Sequence, residues 1–322
     1  VTERLSVALC TYNGGRFLAD QLSSMVAQTR RPDELVVCDD GSSDDSHDIL
    51  RRFAAAAPFL VRIEVNAVRR GVVGNFDHAI SLCAGEVIAL ADQDDVWRPE
   101  KLERLLAALD ANPGAGLAFC DADVVDETLR PLGYTLWDTI RFSRAEQQRV
   151  ETPDGLGVML RRSVASGLTL AFRARFRDLI RPISANWGHD SWIAFLIAAV
   201  APVIVVRDRL VLYRQHGANQ MGAPPTLWRR LVQADRARSR RALERSAQGL
   251  LDAAERLRSA SIPLADSRAL DRIQEAMGHM QTRADLPAAR WRRILPVTRE
   301  VLAGRYRRYS DGTIRVFQDL LL

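Results

Sequence analysis

The 322-residue sequence predicts an α/β fold, a mostly parallel sheet with helices on both faces, followed by a helical C-terminal extension. Three observations predict it. Through the first hundred residues, short apolar stretches alternate with segments whose apolar positions recur at helical spacing. Several of the short stretches are apolar throughout, as strands covered on both faces are. Beyond residue 224 the short stretches cease, and long segments rich in Ala, Leu and Arg with helical periodicity take over.

Each element follows from local pattern. Residues 5–10 form a first strand and 17–26 a first helix. Residues 35–38 form a second strand, and 43–53 a helix opened by serines and acids, which suit orphan N–H groups and the positive end of the dipole. Residues 61–65, 75–83 and 87–91 continue as strand, helix and strand. The middle of the chain is less regular, with strands at 116–120, 168–172, 203–206 and 210–213 and a helix at 189–200. Pro224 and Pro225 mark a boundary, dividing the chain into domains 1–224 and 225–322. Helices at 227–258, 264–283 and 288–309 fill the second part, and no internal repeat is present.

Composition narrows the class. With 47% hydrophobic and 26% charged residues, the chain is a folded protein and neither a collagen, a coiled-coil rod nor a disulfide-stapled miniature. The net charge of +5 is unevenly held: residues 1–224 carry 25 Arg/Lys against 29 Asp/Glu, whereas 225–322 carry 20 against 11. That basic excess suits an anionic partner such as a membrane surface, or simply a solvated helical face. Arg229, Arg230, Arg236, Arg238, Arg240 and Arg241 crowd together in it, among apolar Trp228, Leu231 and Leu243. The expected uses are peripheral membrane contact or homo-oligomerisation, and not nucleic-acid binding. Lys101 is the only lysine, a bias read as coding composition. Cys10, Cys38, Cys83 and Cys120 form no C-x-x-C pair and sit among apolar residues, as small buried hydrophobes of a reducing cytosol do. The first residues lack a signal-peptide pattern. The longest apolar run, 193–206, is broken by Pro202 and is too short to span a bilayer. A cytoplasmic location is expected, with peripheral contact at the inner membrane face.

Ligand sites of parallel sheets lie beyond the carboxyl ends of the strands, and there the sequence turns polar. The first strand runs into Thr11-Tyr12-Asn13-Gly14-Gly15, the second into Asp39-Asp40-Gly41-Ser42-Ser43, the fourth into Asp92-Gln93-Asp94-Asp95. Parallel strands would bring all three clusters to one edge. Five carboxylates in one crevice repel one another and raise some pKa values unless a cation sits among them, and Mg²⁺ or Mn²⁺ suits such a site.

These three clusters, in this order, resemble glycosyltransferase family 2. Residues 91–97, Ala-Asp-Gln-Asp-Asp-Val-Trp, further resemble its bacterial rhamnosyltransferase-like members, and the likeness extends to Gly188-His189-Asp190-Ser191-Trp192 and Tyr213-Arg214-Gln215-His216. It covers residues 4–220. It implies the GT-A fold, a Rossmann-like arrangement, and transfer of a sugar from a nucleoside diphosphate with a divalent metal, Mn²⁺ or Mg²⁺. By resemblance, Asp92 lies near the ribose with Gln93 beside the donor, and Asp94 holds the metal. Asp95 either supports them or caps the next helix. Asp39 accepts from the pyrimidine N3–H, Asp40 approaches the ribose or diphosphate or caps a helix, and Thr11, Tyr12 and Asn13 line the base. Of Arg69 and Arg70, Arg70 is the one expected on the nucleotide. Asp190 matches the family's general base, with His189 where a glutamate is usual. His216 is a further metal ligand or a structural histidine. Gly167, His189 and Trp187 fall on the acceptor side.

The reading is an inverting, metal-dependent glycosyltransferase of surface polysaccharide assembly, its acceptor a glycan or lipid-linked saccharide and its donor, by the resemblance of residues 92–97, dTDP-L-rhamnose, with UDP-sugars as the alternative that offers the same N3–H. Two other readings are a sugar nucleotidyltransferase, for which Asn13-Gly14-Gly15-Arg16 is a poor phosphate loop, and a non-catalytic glycan-assembly scaffold.

Overall fold

The structure is a computed structural model that describes residues 3–217 and 236–321. Its first elements alternate as expected: β1 (Leu5–Thr11), α1 (Gly15–Val26), β2 (Glu34–Asp39), α2 (Ser46–Ala56), β3 (Leu60–Val65), α3 (Gly71–Leu82) and β4 (Val87–Ala91). Every residue of β1, β2 and β4 is buried, which is why those stretches are apolar without alternation. β3, at the sheet edge, alternates in exposure. There follow β5 (Val96–Trp97), α4 (Lys101–Asp110), β6 (Leu117–Val125), β7 (Pro131–Thr135), α5 (Leu136–Ile140), α6 (Arg144–Val150), α7 (Gly155–Arg161), β8 (Leu170–Arg173), α8 (Arg177–Ile180), α9 (His189–Val200) and β9 (Val203–Arg214).

The strands form one mixed sheet in the order β3-β2-β1-β4-β8-β6-β9-β5, with β7 beside β6. β1 to β4 are mutually parallel, and β8 is antiparallel to both β4 and β6, so β6 and β9 point the same way as β1. The order reverses at β1, which sits between β2 and β4. Loops leaving β1 and β4 therefore diverge there and leave a crevice at the strand ends.

Several local expectations needed correction. The strands expected at 203–206 and 210–213 are one strand, β9, carried past its polar middle by pairing with β6 and by register shifts at Cys120–Ala122. β5, of two residues, is too short for a period to register, and β7 is a mostly exposed stretch with a proline and a glycine and no apolar pattern. α5 and α6 were unseen because each has five to seven residues, although Thr135 and Ser143 both start capping boxes. α2 begins at Ser46, and Ser42 and Ser43 are spent on the neighbouring loops instead.

The C-terminal part contains α10 (Arg236–Ser259), α11 (Ala269–Ala284), α12 (Arg290–Leu302), α13 (Arg305–Tyr309) and α14 (Thr313–Leu321). Leu250, Ala253 and Leu257 of α10 and Ile273 of α11 share one apolar cluster with Trp192, Phe195 and Ile197 of α9. The proposed boundary at Pro224-Pro225, together with Trp228, Arg229, Arg230 and Leu231, lies outside the described residues, as do the side chains of Arg236 and Arg238. All four cysteines are buried and unpaired. Among the described residues, no helix is long and apolar enough to cross a membrane.

Candidate active site at the strand ends

The loops after β1, β2 and β4 meet and are stitched to one another by side chains. Asn13, with a left-handed φ of 49°, donates its N–H to Ser42 Oγ at 2.8 Å and accepts from Ser43 N–H at 2.8 Å. Gly14 and Gly15 donate to Ser46 Oγ and Asp44. Gln93 Oε1 accepts from Thr11 Oγ1 at 2.7 Å and from Tyr12 N–H at 2.8 Å. A Cβ at position 14 would overlap the Gln93 amide and the Thr11 hydroxyl, so only glycine lets the two loops close.

Not all five acids join one crevice. Asp39 is fully buried. Its Oδ1 accepts from Gly41 N–H (3.0 Å) and Ser42 N–H (2.7 Å) and lies 2.8 Å from His47 Nε2, while Oδ2 accepts from Ser42 Oγ at 2.5 Å. Asp40 accepts from Asn66 Nδ2, Arg70 N–H and Gly71 N–H at 2.7–2.9 Å. It thus satisfies the start of α3, and the helix begins at Gly71 rather than at 75 for that reason. The carboxylates that do interact are Asp92, Asp94, Asp95 and Asp190. Burial first, then Asp94 and Asp190, push Asp92 up to about 7. Burial, Asp94 and Asp92 raise Asp95 well above the usual carboxylate range.

Asp95 is wholly buried behind the crevice: Oδ1 accepts from Arg214 N–H at 3.1 Å, and Oδ2 has no hydrogen-bond partner among the described residues. Asp94 Oδ2 lies 2.9 Å from His216 Nε2, so the end of β9 delivers its histidine to the acid loop. Among the described residues, no three His, Cys, Asp or Glu side chains are grouped as a ready-made metal cage.

The opposite wall comes from the start of α9. Asp190 Oδ1 accepts from Ser191 N–H at 2.6 Å and Oδ2 from Gly167 N–H at 3.3 Å. His189 stacks on Phe76 at 3.9 Å between ring centroids, its Nε2 has no partner among the described residues, and burial holds its pKa below the ordinary imidazole value. A Cβ on Gly167 would press into that Nε2 at 2.7 Å, which explains glycine there. Gly167, His189 and Asp190 therefore do come together.

One assignment shifts. Arg69, not Arg70, has its guanidinium 3.7 Å over the Tyr12 ring and 3.7 Å from Asp40 Oδ2. Arg70 turns its Nε to Asn66 at 2.9 Å, because its backbone is tied to Asp40 as α3 begins. Trp187 is half-buried and packs one side of its ring against Trp192 and Phe195, and a Cβ on Gly249 of α10 would come within 3.3 Å of it.

Two residues were not singled out from sequence. Arg214 is buried, with Nε on the Asp94 carbonyl (2.9 Å), Nη1 on the Glu127 carbonyl (2.7 Å) and Nη2 on Asp20 (2.8 Å). Lys101 is fully buried, lies 3.4 Å over the Trp97 ring, and donates to the Leu168 carbonyl at 2.7 Å, beside the Gly167 that faces Asp190. Burial lowers its pKa to about 7, against the pull of Cys120, Asp95 and Asp92. Its being the sole lysine was the available signal.

Comparison with known proteins bears on the family and the fold. The model of the family described as "Glycosyl transferase family 2" matches residues 6–167, half of the chain. An uncharacterized glycosyltransferase of Nostoc is 28% identical over 225 residues, covering 67% of this chain and 66% of that protein. The Escherichia coli protein WfgD, a UDP-Glc:alpha-D-GlcNAc-diphosphoundecaprenol beta-1,3-glucosyltransferase, is 30% identical over 105 residues, covering 33% of this chain and 40% of that protein. The chain thus spans at most two thirds of these curated relatives. The mannosyltransferase PcManGT of Pyrobaculum calidifontis, solved with GDP-Man and Mn²⁺, superposes with a TM-score of 0.57 at 16% identity, covering 99% of this chain and 84% of that one. That likeness places the fold among GT-A structures.

Proposed function

Since the chain belongs to glycosyl transferase family 2, we propose that it moves a sugar from a nucleoside diphosphate to a hydroxyl of a glycan or lipid-linked saccharide, with inversion. The observation that carries this reading is the pairing of two walls: the acid loop after β4 on one side, and Asp190, held by Gly167 and Ser191, on the other. Asp190 accepts the proton of the attacking hydroxyl, and its two backbone donors fix its direction. Asp190 as a single base favours one in-line displacement, as the family resemblance implies.

Asp94 and His216 would hold Mn²⁺ or Mg²⁺. A carboxylate oxygen and an imidazole nitrogen suit Mn²⁺, and the burial and added mutual repulsion that raise Asp92 and Asp95 fit a site made for a cation. When bound, the metal stabilises the charge of the departing diphosphate. Thr11, Tyr12, Asn13, Asp92 and Gln93 form the donor side, with Arg69 placed to meet phosphate. Asp39 can read a pyrimidine N3–H only through an opening of its turn, because its carboxylate is enclosed. Asp40 acts through α3. The donor dTDP-L-rhamnose has support only in the resemblance of residues 92–97 to rhamnosyltransferase-like members of the family. A lipid-linked acceptor has support from WfgD, whose name specifies a diphosphoundecaprenol-linked sugar, and a metal from PcManGT. Such an acceptor would bring the enzyme to the inner membrane face.

The test is release of nucleoside diphosphate from dTDP-rhamnose, UDP-sugars and GDP-mannose, with Mn²⁺, Mg²⁺ or chelator, by the wild type and Asp94→Asn. Metal-dependent release of dTDP, lost in Asp94→Asn, is expected. Full turnover in chelator would remove the metal, preference for a UDP-sugar would remove rhamnose, and no release from any donor would remove the transferase.

A further inference from the structure

Half of the exposed large apolar side chains among the described residues fall within residues 291–321. On α12 they are Trp291, Ile294, Leu295 and Leu302, spaced i, i+3, i+4 and i+11, with Trp291 70% and Leu302 82% exposed. Phe317 adds to them from α14, which packs on α12. This stripe is not the helix's core-facing side. The inward side is already engaged: Val297 is buried with Leu286 and Tyr306, and Arg293 donates to the carbonyls of Pro287, Ala288 and Asp319. An outward apolar stripe of this kind marks an interaction surface.

The charge beside it identifies the partner. Residues 290–309 contain a single acid, Glu300, and it is buried between His279 and Arg305. Arg290, Arg292, Arg299 and Arg307 are exposed and form no ion pair among the described residues. A helix with Trp and Leu on one face, flanked by exposed arginines without acidic partners, one of them, Arg292, 5.0 Å over the Trp291 ring, has the make-up of one that lies in the boundary between lipid headgroups and acyl chains.

We propose that the outward face of α12 docks on a bilayer containing anionic lipid, with Trp291, Ile294, Leu295 and Leu302 entering the interface and Arg290, Arg292 and Arg299 meeting lipid phosphates. The proposal rests on this surface alone, so its failure would leave the transferase reading standing. It places membrane contact on α12 rather than on the arginine cluster around residues 229–241.

The full chain is tested by flotation with phosphatidylcholine vesicles, with and without phosphatidylglycerol, at low and high salt. Binding to the anionic vesicles is expected to be at least tenfold tighter than to the neutral ones and to weaken with salt. Trp291→Ser combined with Leu295→Ser touches no buried group. It should reduce binding at least tenfold while circular dichroism and diphosphate release with a soluble acceptor stay unchanged. Replacing Arg290, Arg292 and Arg299 by Gln should remove most of the salt dependence. Wild-type protein that stays with the unbound fraction, or a serine variant that floats as the wild type does, would overturn the proposal. So would a dimer in sedimentation that the serine variant dissolves without any vesicle binding, because the face would then cover a second copy of the chain.

Discussion

Asp190 is held by donors on both carboxylate oxygens, and this separates its position from its charge. Asp190→Asn keeps the shape of the group but, with one acceptor oxygen, keeps only one of the Gly167 and Ser191 contacts, the shorter Ser191 one being favoured. Turnover should fall by about two to four orders of magnitude, with donor affinity in calorimetry changed by no more than a few-fold. Disappearance of donor binding would instead place Asp190 in the donor site. Lys101 permits a test by pH. The unfolded lysine titrates near 10.4 and the buried one at about 7, so between those values the unfolded chain holds the extra proton. Wild-type stability relative to Lys101→Met should therefore climb from pH 7 toward 10, by at most about 1.4 kcal/mol per unit. Denaturant unfolding across that range measures it, and a flat difference would mean that Lys101 stays charged in the fold.

Elements are joined at this site by acids that act on backbone. Asp40, at the end of β2, satisfies Arg70 N–H and Gly71 N–H at the start of α3 and also the Asn66 amide. Asp40→Ala removes the acceptor of the half-buried Arg70 and Gly71 N–H groups, while the Asn66 amide keeps Asn75, a loss of about 0.5–1.5 kcal/mol per hydrogen bond. A lowered unfolding midpoint is expected, with donor binding weakened only as the loop loosens. An unchanged midpoint with donor binding abolished would return Asp40 to the ribose or diphosphate. The turn around Gly167 is a second junction, where Lys101 holds the Leu168 carbonyl while Gly167 N–H reaches Asp190. Helix α4, strand β8 and helix α9 thereby converge on the proposed base.

In the whole molecule, the C-terminal helices do not stand apart from the α/β unit. Leu257 of α10 is buried in the cluster that contains Trp192 and Phe195, so removing its side chain should cost about 2–5 kcal/mol. The larger expectation is that calorimetry of Leu257→Ala and of the wild type shows one cooperative transition that moves as a unit. Two transitions, of which the substitution shifts only one, would make residues 225–322 an independent domain. Coupling through this core would still leave α12 facing outward, since its buried side is turned to α13 and α14 rather than to the sheet.

The sequence alone determined the alternation of strands and helices, the convergence of polar loops on one sheet edge and the start of α9, whereas Asp94 and His216 as candidate metal ligands came from the family resemblance. The first three are properties of period, of buried strands that must be apolar, and of parallel strands that end on one side. Tertiary structure decided what each polar side chain does there. Asp39 and Asp40 look like Asp92 and Asp94 in a chain of letters, but the first pair meets backbone N–H groups and the second meets other carboxylates. Arg69 and Arg70 are equivalent until the start of α3 turns one toward Tyr12 and the other toward Asn66. Lys101 looked like a trace of codon usage until its burial placed it between Trp97 and Leu168. Composition records which groups are available, while burial and the direction of neighbouring donors decide which of them stay free to act.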